Sequence, residues 1–349
     1  MSRVARVRVA GFALLAVVAM ACGARADPST CVSSPATRPG GCGGSPAVEL
    51  KVGLGYIPSV QFAPFYLADQ RGDYAAAGLD VTFENKIDPD LVTLVGQGAL
   101  DIGVADGTSV IPAVSQGIPI KYVSTIYGTY PSIVFAKASS GIKTAADLEG
   151  KRIGIPGRYG SSWIMLQALL GSAGLTPEDV TIVEYPDFGQ GVAVQQDAVD
   201  AATGFTNNEP VQLELTGEEP VVLHVDDVIA LPGPGLITGT AMLESRNPAV
   251  AGFVSATLAA MEAIAADPNL GLDAAIKAVP ELANDRELQA AILDATIATW
   301  QAPGGTKPLG SIDREGWDAS INFLARQGLV PNPVTIDRLV QEVGSPPVD

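Results

Sequence analysis

From residue 48 to about 241 the chain alternates short apolar runs with helical stretches, and this rhythm restricts the possible folds more than any other feature. Strands are expected over 50–54, 79–84, 102–105, 120–126 and 132–136, with helices over 62–71, 89–97 and 109–116 between them. After Ser139-Ser140-Gly141 the pattern restarts, with strands over 152–155, 181–184, 201–205 and 221–224 and helices over 161–173, 190–196 and 209–215. Alternation of this length is characteristic of parallel sheets covered by helices on both faces, so the fold class is α/β. Pro232-Gly233-Pro234-Gly235 interrupts the pattern, a strand follows over 236–241, and the remainder to about 343 is mostly helical. The expected organisation is one lobe begun by 48–138, a second lobe over 139–234, and a return to the first over 235–349. Two strand crossings would form a hinge with a cleft between the lobes.

The amino terminus reads as an export signal over 1–21: Arg3, Arg6 and Arg8 precede an apolar run that ends near Ala21. That run is shorter than the ~20 residues needed to span a bilayer. Ala19-Met20-Ala21-Cys22 has the form of a lipidation site on Cys22, and Ala24-Arg25-Ala26 competes as an ordinary cleavage site. Residues 22–47, rich in Gly, Ser, Pro and Thr, are expected to act as a flexible tether. Cys31 and Cys42 lie in it, either paired as a disulfide or free, and no cysteine follows. These features predict an exported lipoprotein anchored to the cell membrane and facing outward. With 21 Lys plus Arg against 38 Asp plus Glu, the surface repels phosphate backbones, so no nucleic-acid partner is expected.

The stretch LKVGLGYIPSVQFAPFYLA runs from a strand into a Pro-marked helix start at Pro64 and carries Tyr56, Phe62, Phe65 and Tyr66 together with Gln61. Such a loop lies at the carboxyl end of a sheet, where open α/β folds bind ligands. Rings beside an amide suit a flat polar heterocycle, although any one ring could equally fill core. Asp106 follows a buried strand and could accept from ring N–H groups or cap its own helix; Ser109 carries the same ambiguity. Tyr127 and Tyr130 either line the cleft or pack the hinge. The loop Arg158-Tyr159-Gly160-Ser161-Ser162-Trp163 joins strand to helix and offers free N–H groups, two hydroxyls, two rings and a cation. It is not a phosphate-binding P-loop, because no Lys-Ser/Thr follows the glycines. Asn207, Asn208 and Glu209 follow another strand and supply donors and acceptors for carbonyls and ring nitrogens, unless an Asn serves only as a helix cap.

GYIPSVQFAPFYLA at 55–68, DIGVADG at 101–107, TAADLEGKRIGIPG at 144–157 and GFTNNEPVQL at 204–213 together resemble the solute-binding proteins of bacterial ABC importers, in the superfamily of thiamine-pyrimidine, riboflavin, taurine, alkanesulfonate and nitrate binders. VQFAPFY with NNEP is most similar to the branch that binds riboflavin or thiamine-pyrimidine precursors. The resemblance covers about 48–300. It implies the two-lobed periplasmic-binding-protein fold, type II, closing as a monomer on a small molecule and presenting it to an ABC permease in the membrane. It implies no cofactor and no metal. In relatives that carry oxyanions the loop matching 158–163 holds the sulfonate, so an alkanesulfonate or taurine-like anion is the competing ligand.

An enzyme is the competing class. The superfamily includes a pyrimidine synthase that uses histidines and a cysteine-rich loop, and a desulfinase with a cysteine nucleophile. This chain has one histidine, His224, and no cysteine after Cys42. It also lacks the G-x-S-x-G elbow of a serine hydrolase. The expectation is a binder.

Overall fold

The computed structural model describes residues 46–87, 90–301, 305 and 307–343. Cys22, Cys31, Cys42 and the export and tether segments lie outside the described residues. The described residues from Pro46 onward form one compact unit.

Two five-stranded sheets organise it. The first is built from β1 (Val48–Leu54), α1 (Ala63–Arg71), α2 (Asp73–Ala76), β2 (Leu79–Asn85), α3 (Asp90–Gly96), β3 (Ile102–Asp106), α4 (Gly107–Ser115) and β4 (Ile120–Thr125). The second follows with β5 (Ser132–Lys137), β6 (Arg152–Ile155), α5 (Gly160–Ser172), β7 (Thr181–Glu184), α6 (Gln190–Gln195), β8 (Ala201–Phe205), α7 (Glu209–Leu215) and β9 (Pro220–His224). The chain then returns through β10 (Pro234–Gly239) and ends in α8 (Thr240–Ala266), α9 (Pro268–Ala278), α10 (Arg286–Thr299), α11 (Arg314–Arg326) and α12 (Ile336–Leu339).

The sheet orders are β2-β1-β3-β10-β4 and β7-β6-β8-β5-β9. In each, three parallel strands are followed by one antiparallel strand: β10 pairs antiparallel with β3 and β4, and β5 with β8 and β9. The pairing of β5 moves the first crossing. Sequence pattern puts Ser132–Lys137 in the first lobe with the boundary near 138, yet β5 belongs wholly to the second sheet, so the chain crosses between Thr125 and Ser132. All six β5 residues are buried. An apolar strand buried on both faces reads the same whichever sheet accepts it. The second crossing lies between His224 and Pro234.

One apolar cluster fills the first lobe around β1, α1 and α8, with Phe65, Tyr74 and Phe253 stacked through it. A second joins α4 and β4 of the first lobe to β6 and α5 of the second, so the lobes share core beside the hinge. The longest helix, α8, is interrupted at Arg246 (φ −138°), two residues ahead of Pro248, which has no N–H to continue the helical hydrogen-bond ladder.

Candidate functional site

The sheets direct four strand ends at one another. β1 and β3 run parallel and end at Leu54 and Asp106; β6 and β8 run parallel and end at Ile155 and Phe205. In each sheet these two neighbours lead to helices on opposite sides, which opens a crevice at their carboxyl ends. The loops that follow enclose a cleft of about 740 Å³, counting its solvent-open mouth. The first lobe contributes Gly55, Tyr56, Gln61, Ile87 and Asp106, and the second Tyr159, Ser161, Ser162, Phe188, Asn208 and Glu209 among others.

Rings meet across this gap. Tyr56 and Phe188 lie edge to face with centroids 5.0 Å apart and planes at 82°. Gly55 places Tyr56: a Cβ there would stand 2.5 Å from the Val104 carbonyl oxygen, so only glycine lets the loop leave β1 this close to β3. Gln61 is fixed by Tyr127, whose hydroxyl donates to Oε1 at 3.1 Å, leaving the amide N–H groups for other partners.

Two carboxylates line the cleft, and both are buried. Glu209 opens α7, accepting from the Phe205 backbone N–H at 2.9 Å and from Gln190 Nε2 at 3.3 Å. Gly204 makes room for it, since a Cβ there would come within 2.7 Å of Oε2. Burial pushes the Glu209 carboxyl up to about 7 against the pull of the Phe205 and Glu209 backbone N–H groups. Asp106 sits at the N-cap position of α4 but makes no side-chain cap bond to it. Its carboxylate instead faces the cleft that Ser161 of the opposite lobe also lines; burial raises it to about 6, against a lowering pull from the Ser161 hydroxyl. Asn208 likewise makes no cap bond to α7; its Oδ1 accepts from Gln212 Nε2 at 2.9 Å.

Of the residues singled out from the sequence, Tyr56, Gln61, Asp106, Tyr159, Ser161, Ser162, Asn208 and Glu209 line the cleft. The others are placed elsewhere, each for a physical reason. Phe62 and Phe65 are core, 5% and 1% exposed, because the start of α1 turns their rings under the sheet. Ser109 lies within α4 with its hydroxyl buried and unpartnered. Tyr127 and Tyr130 are buried at the crossing, where they border a separate cavity with Asp226 and Trp300. Tyr130 reaches Thr108 at 3.3 Å. Arg158 points to solvent, paired with Glu184 at 3.3 Å and lying over the Trp163 ring at 5.3 Å. Trp163 packs against the shared core beneath it. Asn207 is 1% exposed and donates to Thr296 Oγ1 of α10 at 2.9 Å, which fastens the second lobe to the first instead of facing the cleft.

Phe188, Gln190 and Phe205 also line the cleft and were not foreseen from the sequence. The signal lay in Tyr185-Pro186-Asp187-Phe188-Gly189, an aromatic, Pro-marked loop after β7 of the same kind as the one after β1. Phe188 adopts φ 60°, which a bulky residue rarely does.

Comparison with known proteins agrees with this architecture. The family described as NMT1/THI5 like matches residues 59–270. The riboflavin-binding protein RibY of Chloroflexus aurantiacus is 32% identical over 338 residues, covering 95% of this chain and 96% of its own. The formylaminopyrimidine-binding protein of Halalkalibacterium halodurans is 26% identical, covering 82% and 88%. A relative from Legionella pneumophila named 4-amino-5-hydroxymethyl-2-methylpyrimidine phosphate synthase is 29% identical over 51% of this chain. Among solved structures, the alkanesulfonate-binding protein SsuA of Xanthomonas axonopodis pv. citri superposes with a TM-score of 0.67 at 19% identity, covering 86% of this chain and 100% of that one. This chain belongs to the NMT1/THI5-like family and has the two-lobed fold of ABC-importer solute-binding proteins.

Proposed function

We propose that the protein is the extracytoplasmic binding component of an ABC importer and that it holds a flat, uncharged heterocycle, of the riboflavin or pyrimidine-precursor kind, between its lobes. The carrying observation is the meeting of Tyr56 and Phe188 across the cleft, with Gln61, Asn208, Asp106 and Glu209 around them. Ring faces grip a planar ligand while amides and carboxylates select its edge. The riboflavin-binding relative, alike along nearly its whole length, supports the flavin over a smaller pyrimidine. Delivery to a permease and tethering through a lipid on Cys22 complete the reading.

Binding is favoured over catalysis. The described residues lining the cleft include no histidine or cysteine, and His224 is exposed at the end of β9. An alkanesulfonate is the second reading, supported by Ser161 and Ser162 at the start of α5; the outward turn of Arg158 counts against it.

The test titrates the purified protein with riboflavin, a hydroxymethylpyrimidine and taurine, following melting temperature and intrinsic fluorescence. Riboflavin is expected to quench saturably and to stabilise by about 2.7 kcal/mol at a hundred times its Kd. A response to taurine alone would overturn the proposal, and turnover of the bound ligand would overturn its non-enzymatic part.

A further inference from the structure

Asp106 and the start of α5 form a pair that spans the cleft. The N-cap of α5, Tyr159, supplies no side-chain cap, the first-turn N–H groups of this thirteen-residue helix have no side-chain acceptor among the described residues, and Gly160, Ser161 and Ser162 face the cleft. An uncapped helix start carrying two hydroxyls is a natural seat for an oxyanion. In this chain the opposite lobe meets it with a carboxylate: Asp106 is 7% exposed, leaves its own helix α4 uncapped, and lines the same cleft as Gly160, Ser161 and Ser162. Glu209 is a second buried carboxylate in the same cleft, and no Lys or Arg is among the described residues lining it. The nearby cation, Arg158, is committed outside to Glu184 and Trp163.

We infer that Asp106 is a specificity-determining residue that bars anionic ligands: its carboxylate faces, from the first lobe, the helix start that a sulfonate or phosphate group would otherwise take. The inference rests on the reading of the cleft as the ligand site, and it narrows the ligand class to neutral heterocycles over their phosphate esters and over sulfonates. A carboxylate a few ångströms from a second anion in a site of intermediate dielectric disfavours that anion by about 100-fold.

Methanesulfonate and inorganic phosphate serve as minimal probes at a pH where carboxylates are ionised, read by melting temperature and intrinsic fluorescence, with riboflavin and riboflavin 5′-phosphate titrated in parallel. Wild-type protein is expected to show no saturable response to either small anion and to prefer riboflavin over its phosphate ester by about 100-fold. Asp106→Asn keeps the shape and removes the charge; it is expected to gain a saturable response to the small anions and to narrow the flavin preference at least tenfold. Asp106→Ser is the second variant should the amide fail to fold. A saturable wild-type response to methanesulfonate or phosphate overturns the inference, as does a folded Asp106 variant that stays unresponsive. If wild type takes neither flavin while the variant gains the anions, the filter stands and the flavin reading falls. If wild type takes both flavins equally, the filter falls and the flavin reading stands.

Discussion

Phe188 shows what a single residue contributes here. A left-handed backbone under a bulky side chain costs on the order of 1–2 kcal/mol, and at this position it holds a ring against Tyr56 of the other lobe. Phe188→Gly relieves the backbone and deletes the ring. Its melting temperature is expected to move little while ligand affinity falls by about 10-fold or more, as read by thermal shift and titration; unchanged affinity would remove Phe188 from the site. The buried carboxylates make a second prediction at this scale. Asp106 at about 6 and Glu209 at about 7 bind protons in the fold that the unfolded chain has already released, so their favourable contribution is complete at low pH and is lost as pH rises through those values. Stability is expected to fall between about pH 4 and 7.5 by up to ~3 kcal/mol for each group. Asp147, Asp179 and Asp200 are held below their ordinary range by hydrogen bonds and act oppositely, but only at more acid pH. Urea titrations of wild type and of Asp106→Asn/Glu209→Gln at the two pH values measure the difference, which the double variant is expected to flatten. Composition and loop position were enough to nominate Tyr56, Gln61, Asp106 and Glu209. They were not enough to separate Tyr56 from Phe62, because both are aromatic and near one strand end, and only packing decides which ring turns inward.

At the scale of elements, the alternation of apolar runs with helices made every strand legible, since period and turn chemistry are local. Pairing is not local, which is why β5 was expected in the wrong lobe: SIVFAK suits any buried strand, and its partners β8 and β9 lie far along the chain. The same limit applies to Asn207. Its place after β8 marked it as a site residue, while its partner Thr296 sits on α10, beyond any sequence spacing. Asn207→Ala is expected to leave ligand contacts in place and to destabilise the protein by about 1–2 kcal/mol through the lost link between α10 and the second lobe, measured by chemical unfolding. A large loss of affinity without a loss of stability would instead make Asn207 a ligand contact.

The molecule as a whole is two sheets whose crevices face each other, joined by two crossings and by core shared between α4 and α5. Neither lobe carries both walls of the cleft, so a ligand held between Tyr56 and Phe188 spans the hinge and favours the closed arrangement by its contacts with both sides. Saturating ligand is therefore expected to protect the backbone N–H groups at 127–130 and 225–233 from hydrogen exchange; equal exchange with and without ligand would argue against closure. The interleaving of the chain also bears on assembly at the ribosome. The second sheet is a contiguous insert, complete once β9 has emerged, whereas β3 cannot meet β10 until more than a hundred further residues have been made, as the pairing of Val104 with Leu236 requires. The lobe begun first is thus the lobe finished last, and the nascent chain must shelter a half-built sheet edge while its later-encoded neighbour is already in place.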